Sequence, residues 1–278
     1  MVKYCELEVK DALHRLTRRG LPYKYDLNIY RGCSHGCKYC YGVKSHSYLN
    51  SESFQDEIFV KTNISDRLEE TLASTTWVGE TINFGGVCDS YQEGERQFKL
   101  MPDLLRLMIK YKNPIVISTK SDLIMRDIDL IAELAEVTTV KLAICITSID
   151  KEVSKRVEPG ASLPRERYIA LKELSKTKAR VGLHFFPILP FLSDDEESLE
   201  KMVKAGANSG ADYIMCCMLY MSGGIRKRYL DFIQKEYPEY YGGYLGLYNK
   251  GSANKEYKAK IHGFLKNMKS KYRIDKSY

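Results

Sequence analysis

The chain has 278 residues, 44% of them apolar and 28% charged, with a formal net charge of +7. That length and composition supply one full hydrophobic core without disulfide staples, and no apolar run approaches the roughly 18 to 20 residues of a membrane span. Eight cysteines and no N-terminal secretory pattern point to a reducing, cytoplasmic compartment.

In chain order, residues 1–25 read as an N-terminal extension, and a strand-then-helix rhythm begins at residue 26. Residues 26–30, 81–85, 114–119, 140–147, 180–187 and 212–219 are short runs rich in β-branched or aromatic side chains, each followed by a helical pattern. Apolar strands separated by helices predict an α/β fold with a parallel sheet covered on its outside. Six such units suit a partial (β/α)6 barrel over residues 26–220, with its chemistry on the loops at the strand C-terminal ends. Pro102 and Pro164 suit first helical turns, and Ser193-Asp-Asp-Glu196 reads as a capping box ahead of Leu199, Met202 and Val203. The long linkage after Cys40 carries Tyr48, Phe54, Phe59, a helix near residues 66–73, and Trp77; it is expected to cover one mouth of the barrel.

Residues 221–278 form a C-terminal extension. Arg226-Lys-Arg228 precedes a helix-like stretch and then Tyr237, Tyr240, Tyr241, Tyr244 and Tyr248 among glycines. A lid, a platform for stacked bases, or plain packing against the barrel all fit that composition, and packing is the favoured reading. From residue 250 onward nine Lys or Arg face only Glu256 and Asp275, so the net charge belongs to the tail. Tyr257, Ile261, Phe264, Leu265 and Met268 recur there at helical spacing, which predicts an amphipathic helix with its lysines outward.

The densest chemistry lies in Asn28-Ile-Tyr-Arg-Gly-Cys-Ser-His-Gly-Cys-Lys-Tyr-Cys-Tyr41, where Cys33, Cys37 and Cys40 make a CxxxCxxC loop. Gly32 and Gly36 let the backbone bend around a metal centre. A zinc site would draw its fourth ligand from His35, His46 or Cys88, but the second ligand pair usual for zinc is missing from the sequence. Three thiolates on a cubane [4Fe–4S] cluster leave one iron open, and an open iron can chelate a cofactor.

This loop, with Tyr39 before the last cysteine, resembles the signature of the radical S-adenosylmethionine (SAM) superfamily, and more narrowly its spore photoproduct lyase-like branch. Similar motifs follow in order: Gly85-Gly-Val-Cys-Asp-Ser-Tyr-Gln92, Ile117-Ser-Thr-Lys-Ser121, Arg126-Asp-Ile-Asp-Leu130, Thr147-Ser-Ile-Asp150, Glu158-Pro159 and Pro187-Ile-Leu-Pro190. The resemblance implies a partial (β/α)6 barrel in which Cys33, Cys37 and Cys40 hold a [4Fe–4S] cluster and SAM chelates the fourth iron. It implies reductive cleavage of SAM to a 5′-deoxyadenosyl radical, an external electron donor of flavodoxin or ferredoxin type, and a monomeric enzyme. Gly85 and Gly86 are expected at the methionyl amine, Lys120 at the SAM carboxylate, Tyr39 and Tyr41 over the adenine, and Thr147 at the methionine. Cys145 stands where a serine is expected in the fourth strand. Cys88 falls where spore photoproduct lyase keeps its hydrogen-donating cysteine, and Asp89 and Tyr91 on the same loop are expected to meet cofactor or substrate. Of Cys216 and Cys217, at the end of the sixth strand, at most one faces inward.

Three readings of function stay open. The first is radical chemistry on a nucleic acid, such as repair of a DNA lesion, supported by the branch, the basic tail and Arg226-Lys-Arg228. The second is modification of a small molecule, peptide or RNA. The third is an Fe–S electron carrier without SAM cleavage, against which a six-unit barrel and an open iron both weigh.

Overall fold

The computed structural model describes residues 2–17, 20–48 and 53–274. Its first elements are β1 (Lys3–Leu7), β2 (Leu13–Arg15), β3 (Tyr25–Leu27), β4 (Tyr30–Arg31), a 3-10 turn at Tyr41–Tyr48, β5 (Glu57–Lys61) and α1 (Ile64–Ala73). The repeating body follows as β6 (Ile82–Phe84), α2 (Gly94–Phe98), α3 (Leu100–Tyr111), β7 (Ile115–Thr119), a 3-10 turn at Asp122–Asp127, α4 (Ile128–Val137), β8 (Val140–Cys145), α5 (Lys151–Val157), α6 (Pro164–Leu174), β9 (Arg180–Ile188), α7 (Glu196–Asn208) and β10 (Tyr213–Met218). Helices α8 (Gly224–Glu236), α9 (Pro238–Leu247) and α10 (Lys255–Lys271) complete the described chain.

The six apolar runs become six parallel strands of one sheet, ordered β3-β6-β7-β8-β9-β10, with β2 added antiparallel on β3. Among the described residues β2 and β10 do not pair with each other, so the sheet is an open, partial barrel. Strand side chains such as Leu27, Phe84, Ile117, Leu142 and Leu183 are fully buried against helix residues Leu104, Met108, Leu134, Leu171 and Met202. Each such burial contributes about 1.5–3 kcal/mol. Helix α3 shows why the sequence pattern works: Met101, Leu104, Leu105 and Met108 recur at helical spacing, and all four are buried.

Four departures from the sequence reading have local causes. The first strand stops at Leu27 because Asn28 turns its side chain to accept from the Val87 N–H at 2.8 Å, and Tyr30–Arg31 then pair with β5 instead. That pairing belongs to a second sheet, β1-β5-β4, so the residues before 26 contribute a strand to each sheet. Ser193 does not cap α7: its hydroxyl accepts from the Leu189 N–H at 3.1 Å, and Asp195 is the N-cap, accepting from Ser198 N–H at 2.8 Å. The Tyr-Gly segment is helical, and α8 and α9 bury Tyr229, Tyr244 and Tyr248 in a separate small core with Leu189, Leu219 and Ile233.

The tail forms the expected helix. Asn254 caps α10 by accepting from Tyr257 N–H at 2.9 Å, Ile261 and Leu265 are buried, and Lys255, Lys260 and Lys266 are exposed. Asp275 and the residues after it lie outside the described residues, as does the side chain of Tyr48. No helix among the described residues is long and apolar enough to cross a membrane.

Candidate active site

The cysteine loop leaves β4 and is gripped from two sides. Gly32 and Gly36 take left-handed φ of 87° and 65°, and a Cβ on Gly32 would lie 2.8 Å from the Glu57 carbonyl. From the loop after β6, the fully buried Gln92 donates to Gly32 O at 3.1 Å and accepts from Ser34 N–H at 2.9 Å. From the segment after α5, Gly160 N–H donates to His35 O at 2.9 Å, and Lys38 N–H donates to Val157 O at 2.9 Å. A side chain on Gly160 would drive its Cβ to 2.1 Å from Ser34 O, so only glycine allows this approach.

Cys33 and Cys37 are buried, Cys40 is half-buried, and all three are free thiols. Burial, then the charge of Asp89 and of the other two thiols, holds the Cys33 thiol well above its ordinary value. Burial pushes Cys37 up to about 12, with Glu158 acting the same way and Lys120 against it. The charges of Cys37 and Cys40 act on Cys33, and that of Cys40 on Cys37, so the three side chains are electrostatic neighbours. Among the described residues no three of the His, Cys, Asp and Glu side chains gather around one ion position. A four-iron cube takes one thiolate per corner rather than three on a single ion, and metal bonding replaces the protons that burial now enforces. The loop fits such a cluster.

Asp89 is the hub that fixes the loop to the sheet. It accepts from Thr119 Oγ1 at 2.7 Å, Lys120 N–H at 2.8 Å and Tyr91 N–H at 2.9 Å, and lies 3.1 Å from His35 Nε2. Burial pushes its carboxyl up, but His35 and the donated hydrogen bonds outweigh that and hold it well below the ordinary carboxylate value. His35 closes the brace through Nδ1, 3.0 Å from Gly160 O. Asp89, expected at the cofactor, here spends its oxygens on protein groups.

Across from the hub, Tyr39 points its hydroxyl at Glu158 and at Thr147 Oγ1, the latter at 3.0 Å. Thr147 also donates to Glu158 at 2.7 Å. Glu158 and Arg167 form a fully buried pair at 2.6 Å, and Arg167 further donates to Cys145 O at 2.9 Å and Ser162 O at 2.7 Å. Burial raises the Glu158 carboxyl, yet Arg167 first and Lys120 next bring it below its ordinary value.

Lys120, ending β7, stands at the centre of this group. Its ammonium lies 5.9 Å from the centre of the Tyr39 ring. Burial works against its charge, but Cys145, Glu158 and Cys37 win and hold it above the ordinary lysine value. Among the described residues the ammonium makes no ion pair or hydrogen bond, so a cation stands ready beside the thiols.

The remaining expected residues separate into two groups. The Gly85-Gly86 turn follows β6: Gly85 has φ of 89°, a Cβ on Gly86 would lie 2.1 Å from the Asp26 carboxylate, and the 65%-exposed Tyr41 donates its hydroxyl to Gly86 O. Tyr91 is fully buried, with Asp127, Glu95 and Arg126 around its hydroxyl. Cys88 is also buried, its thiol donating to Tyr30 O at 3.3 Å and pushed up to about 12 by burial. Cys216 is half-buried with its thiol 3.7 Å from His262 Nδ1, while Cys217 is exposed.

Sequence comparison decides the family. The Radical SAM superfamily pattern matches residues 27–204. The chain is a radical SAM protein. As such it is an enzyme whose cofactors are a [4Fe–4S] cluster and SAM, and whose chemistry calls for a reductant and a substrate. An uncharacterized protein of Mycobacterium tuberculosis strain H37Rv is 31% identical over 254 residues, covering 90% of this chain and 75% of that protein. One of Methanocaldococcus jannaschii is 30% identical over 173 residues, covering 62% of this chain and 63% of the other. In fold, this radical SAM protein is similar to a spore photoproduct lyase variant solved with SAM and a dinucleoside spore photoproduct bound, at TM-score 0.68 and 13% identity, over 97% of this chain and 79% of that one. The spore photoproduct lyase complexed with the dinucleoside alone gives a TM-score of 0.64 at 13% identity, over 96% and 79%.

Proposed function

We propose that Cys33, Cys37 and Cys40 hold the cluster and that the enzyme uses SAM to abstract hydrogen from a nucleic acid. The observation that carries the reading is the buried Lys120 ammonium, which makes no ion pair or hydrogen bond among the described residues and has Cys37 of the CxxxCxxC loop as an electrostatic neighbour. When bound, the cluster and SAM supply reductive cleavage of a sulfonium and radical hydrogen abstraction. Lys120 supplies a cation for the SAM carboxylate, a charge-assisted pair in a dry site. The Gly85-Gly86 turn offers backbone groups to the methionyl amine, Tyr41 holds that turn through Gly86 O, and Thr147 anchors Tyr39 from below. Glu158 and Arg167 keep Tyr39 in place, and Asp89 with His35 and Gln92 keeps the thiols in place.

The nucleic-acid substrate is supported by the likeness in fold to an enzyme solved with a dinucleoside lesion. Lesion repair, with Cys88 returning a hydrogen atom, is the finer form of this proposal; its thiol remains protonated and neighbours Cys40 in the electrostatics. The electron donor is a flavodoxin- or ferredoxin-type protein. Oxygen-free purified protein, reduced with dithionite, is expected to release 5′-deoxyadenosine from SAM and to bind single-stranded oligonucleotides with an affinity that falls as salt rises. Salt-independent binding would remove the nucleic-acid half, and the absence of 5′-deoxyadenosine would remove the radical half.

A further inference from the structure

A cavity of ≈ 280 Å³ opens between the N-terminal segment and the start of the cysteine loop, with Lys10, Asp11, Asp26, Asn28, Arg31 and Lys61 in its walls. Lys61 gives it a purpose. The residue closes β5, its side chain is 8% exposed, and among the described residues its ammonium makes no hydrogen bond or ion pair. A buried ammonium without a counter-charge is costly, and an anion entering the cavity would offset that cost.

The neighbouring groups do not supply it. Asp11, also in the wall, is exposed and makes no ion pair with Lys61 or Arg31 among the described residues. Arg31 is a second cation, close enough to add to burial in lowering the Lys61 pKa, and its own hydrogen bond is a long one to Ser45 O at 3.4 Å. Asp26 turns its carboxylate to Asn83, whose amide donates to it at 2.8 Å, and burial pushes that carboxyl above its ordinary value. Two cations side by side, one a planar guanidinium and one a point charge, suit a phosphate group.

The cavity also backs onto the cofactor turn. Asn28 accepts from Val87 N–H at 2.8 Å, the Asp26 carboxylate abuts Gly86, and Arg31 lies two residues before Cys33. An anion seated there lies beside both the cysteine loop and the Gly85-Gly86 turn.

We infer that Lys61 and Arg31 form a subsite for one phosphate group of the substrate. The source of that phosphate rests on the nucleic-acid reading above; the anion chemistry of the cavity does not.

The test uses the full, cluster-loaded chain without oxygen, with inorganic phosphate and a short single-stranded DNA oligonucleotide as separate probes. Lys61→Met is expected to weaken both by about tenfold or more, which corresponds to about 1.4 kcal/mol, and Lys61→Arg to retain both. Phosphate affinity unchanged by Lys61→Met, or no phosphate binding by the unaltered chain, overturns the subsite. Loss of phosphate affinity with oligonucleotide affinity intact overturns the assignment to a nucleic acid while 5′-deoxyadenosine release still reports on the radical chemistry. A measurement on the unaltered protein does not depend on a variant folding: phosphate is expected to slow acylation of Lys61, read by mass spectrometry, and to leave exposed Lys260 unaffected. Equal Lys61 rates with and without phosphate contradict the proposal.

Discussion

Helix α10 and the strand-end region both carry lysines, and they use them in opposite ways. On α10, Lys271 reaches Glu200 at 2.6 Å, Lys269 reaches Ile214 O at 3.2 Å, and Lys255, Lys260 and Lys266 face solvent. Near the cysteines, Lys120 stands among thiols and the Glu158–Arg167 pair, and Lys61 is buried in a cavity wall, neither with a bonded partner among the described residues. The tail accounts for the net charge of the sequence, yet water screens it and each exposed pair adds little. Burial makes the charge of Lys61 expensive, while the charge of Lys120 is favoured by Cys145, Glu158 and Cys37 around it; no lysine exposed on the tail stands in either setting.

Breaking the interior first gives the largest expected effect. Arg167→Met leaves Glu158 buried without its main partner and should cost about 3–5 kcal/mol, seen as a fall of about 10 °C in Tm. Lys271→Met, which breaks the exposed pair with Glu200, should leave Tm nearly unchanged; equal losses in the two variants would erase the contrast.

Asp89→Asn is expected next, at about 1–3 kcal/mol, since three donated hydrogen bonds and His35 lose their anion. Its pH signature has a defined sign. The Asp89 carboxyl titrates below its ordinary 3.8 in the folded chain, so its contribution is present above that value and is lost as pH falls through the lower folded value. Urea unfolding across acid pH should therefore be flatter in Asp89→Asn, and parallel curves would show that the hub is not what links the loop to the sheet.

Lys120→Met should weaken SAM binding by about tenfold while iron content stays unchanged, the separation expected of a cofactor contact as opposed to a structural lysine. The smallest effect belongs to the tail: Lys260→Gln with Lys266→Gln should alter stability by no more than about 0.5 kcal/mol and leave 5′-deoxyadenosine release as it is. A large loss of oligonucleotide affinity in that double variant would move the polyanion-binding role from the cavity to α10.

Much of this architecture is legible in the residues themselves. The six parallel strands announce themselves as continuous apolar runs because both of their faces are covered, and the cysteine spacing names the chemistry of its loop. The short β4 and β5 were hidden because they pair across a loop, and Glu57–Lys61 reads as part of a linkage until β1 is seen beside it. Helix α9 was hidden by Gly242, Gly243 and Gly246, poor helix formers whose cost is offset by the packing of Tyr244 and Tyr248. The bracing roles of His35, Gln92 and Arg167 were not legible in sequence, although His35 and Gln92 fall in the motifs, because each acts across separate elements: Gln92 is 60 positions from Gly32, and His35 is 125 from Gly160.

The most direct measurement replaces Cys33, Cys37 and Cys40 together with alanine and reads iron content and dithionite-driven release of 5′-deoxyadenosine in oxygen-free preparations. The account predicts that both fall to background while the far-ultraviolet circular dichroism of the chain is kept; iron and product at the level of the unaltered protein would contradict it.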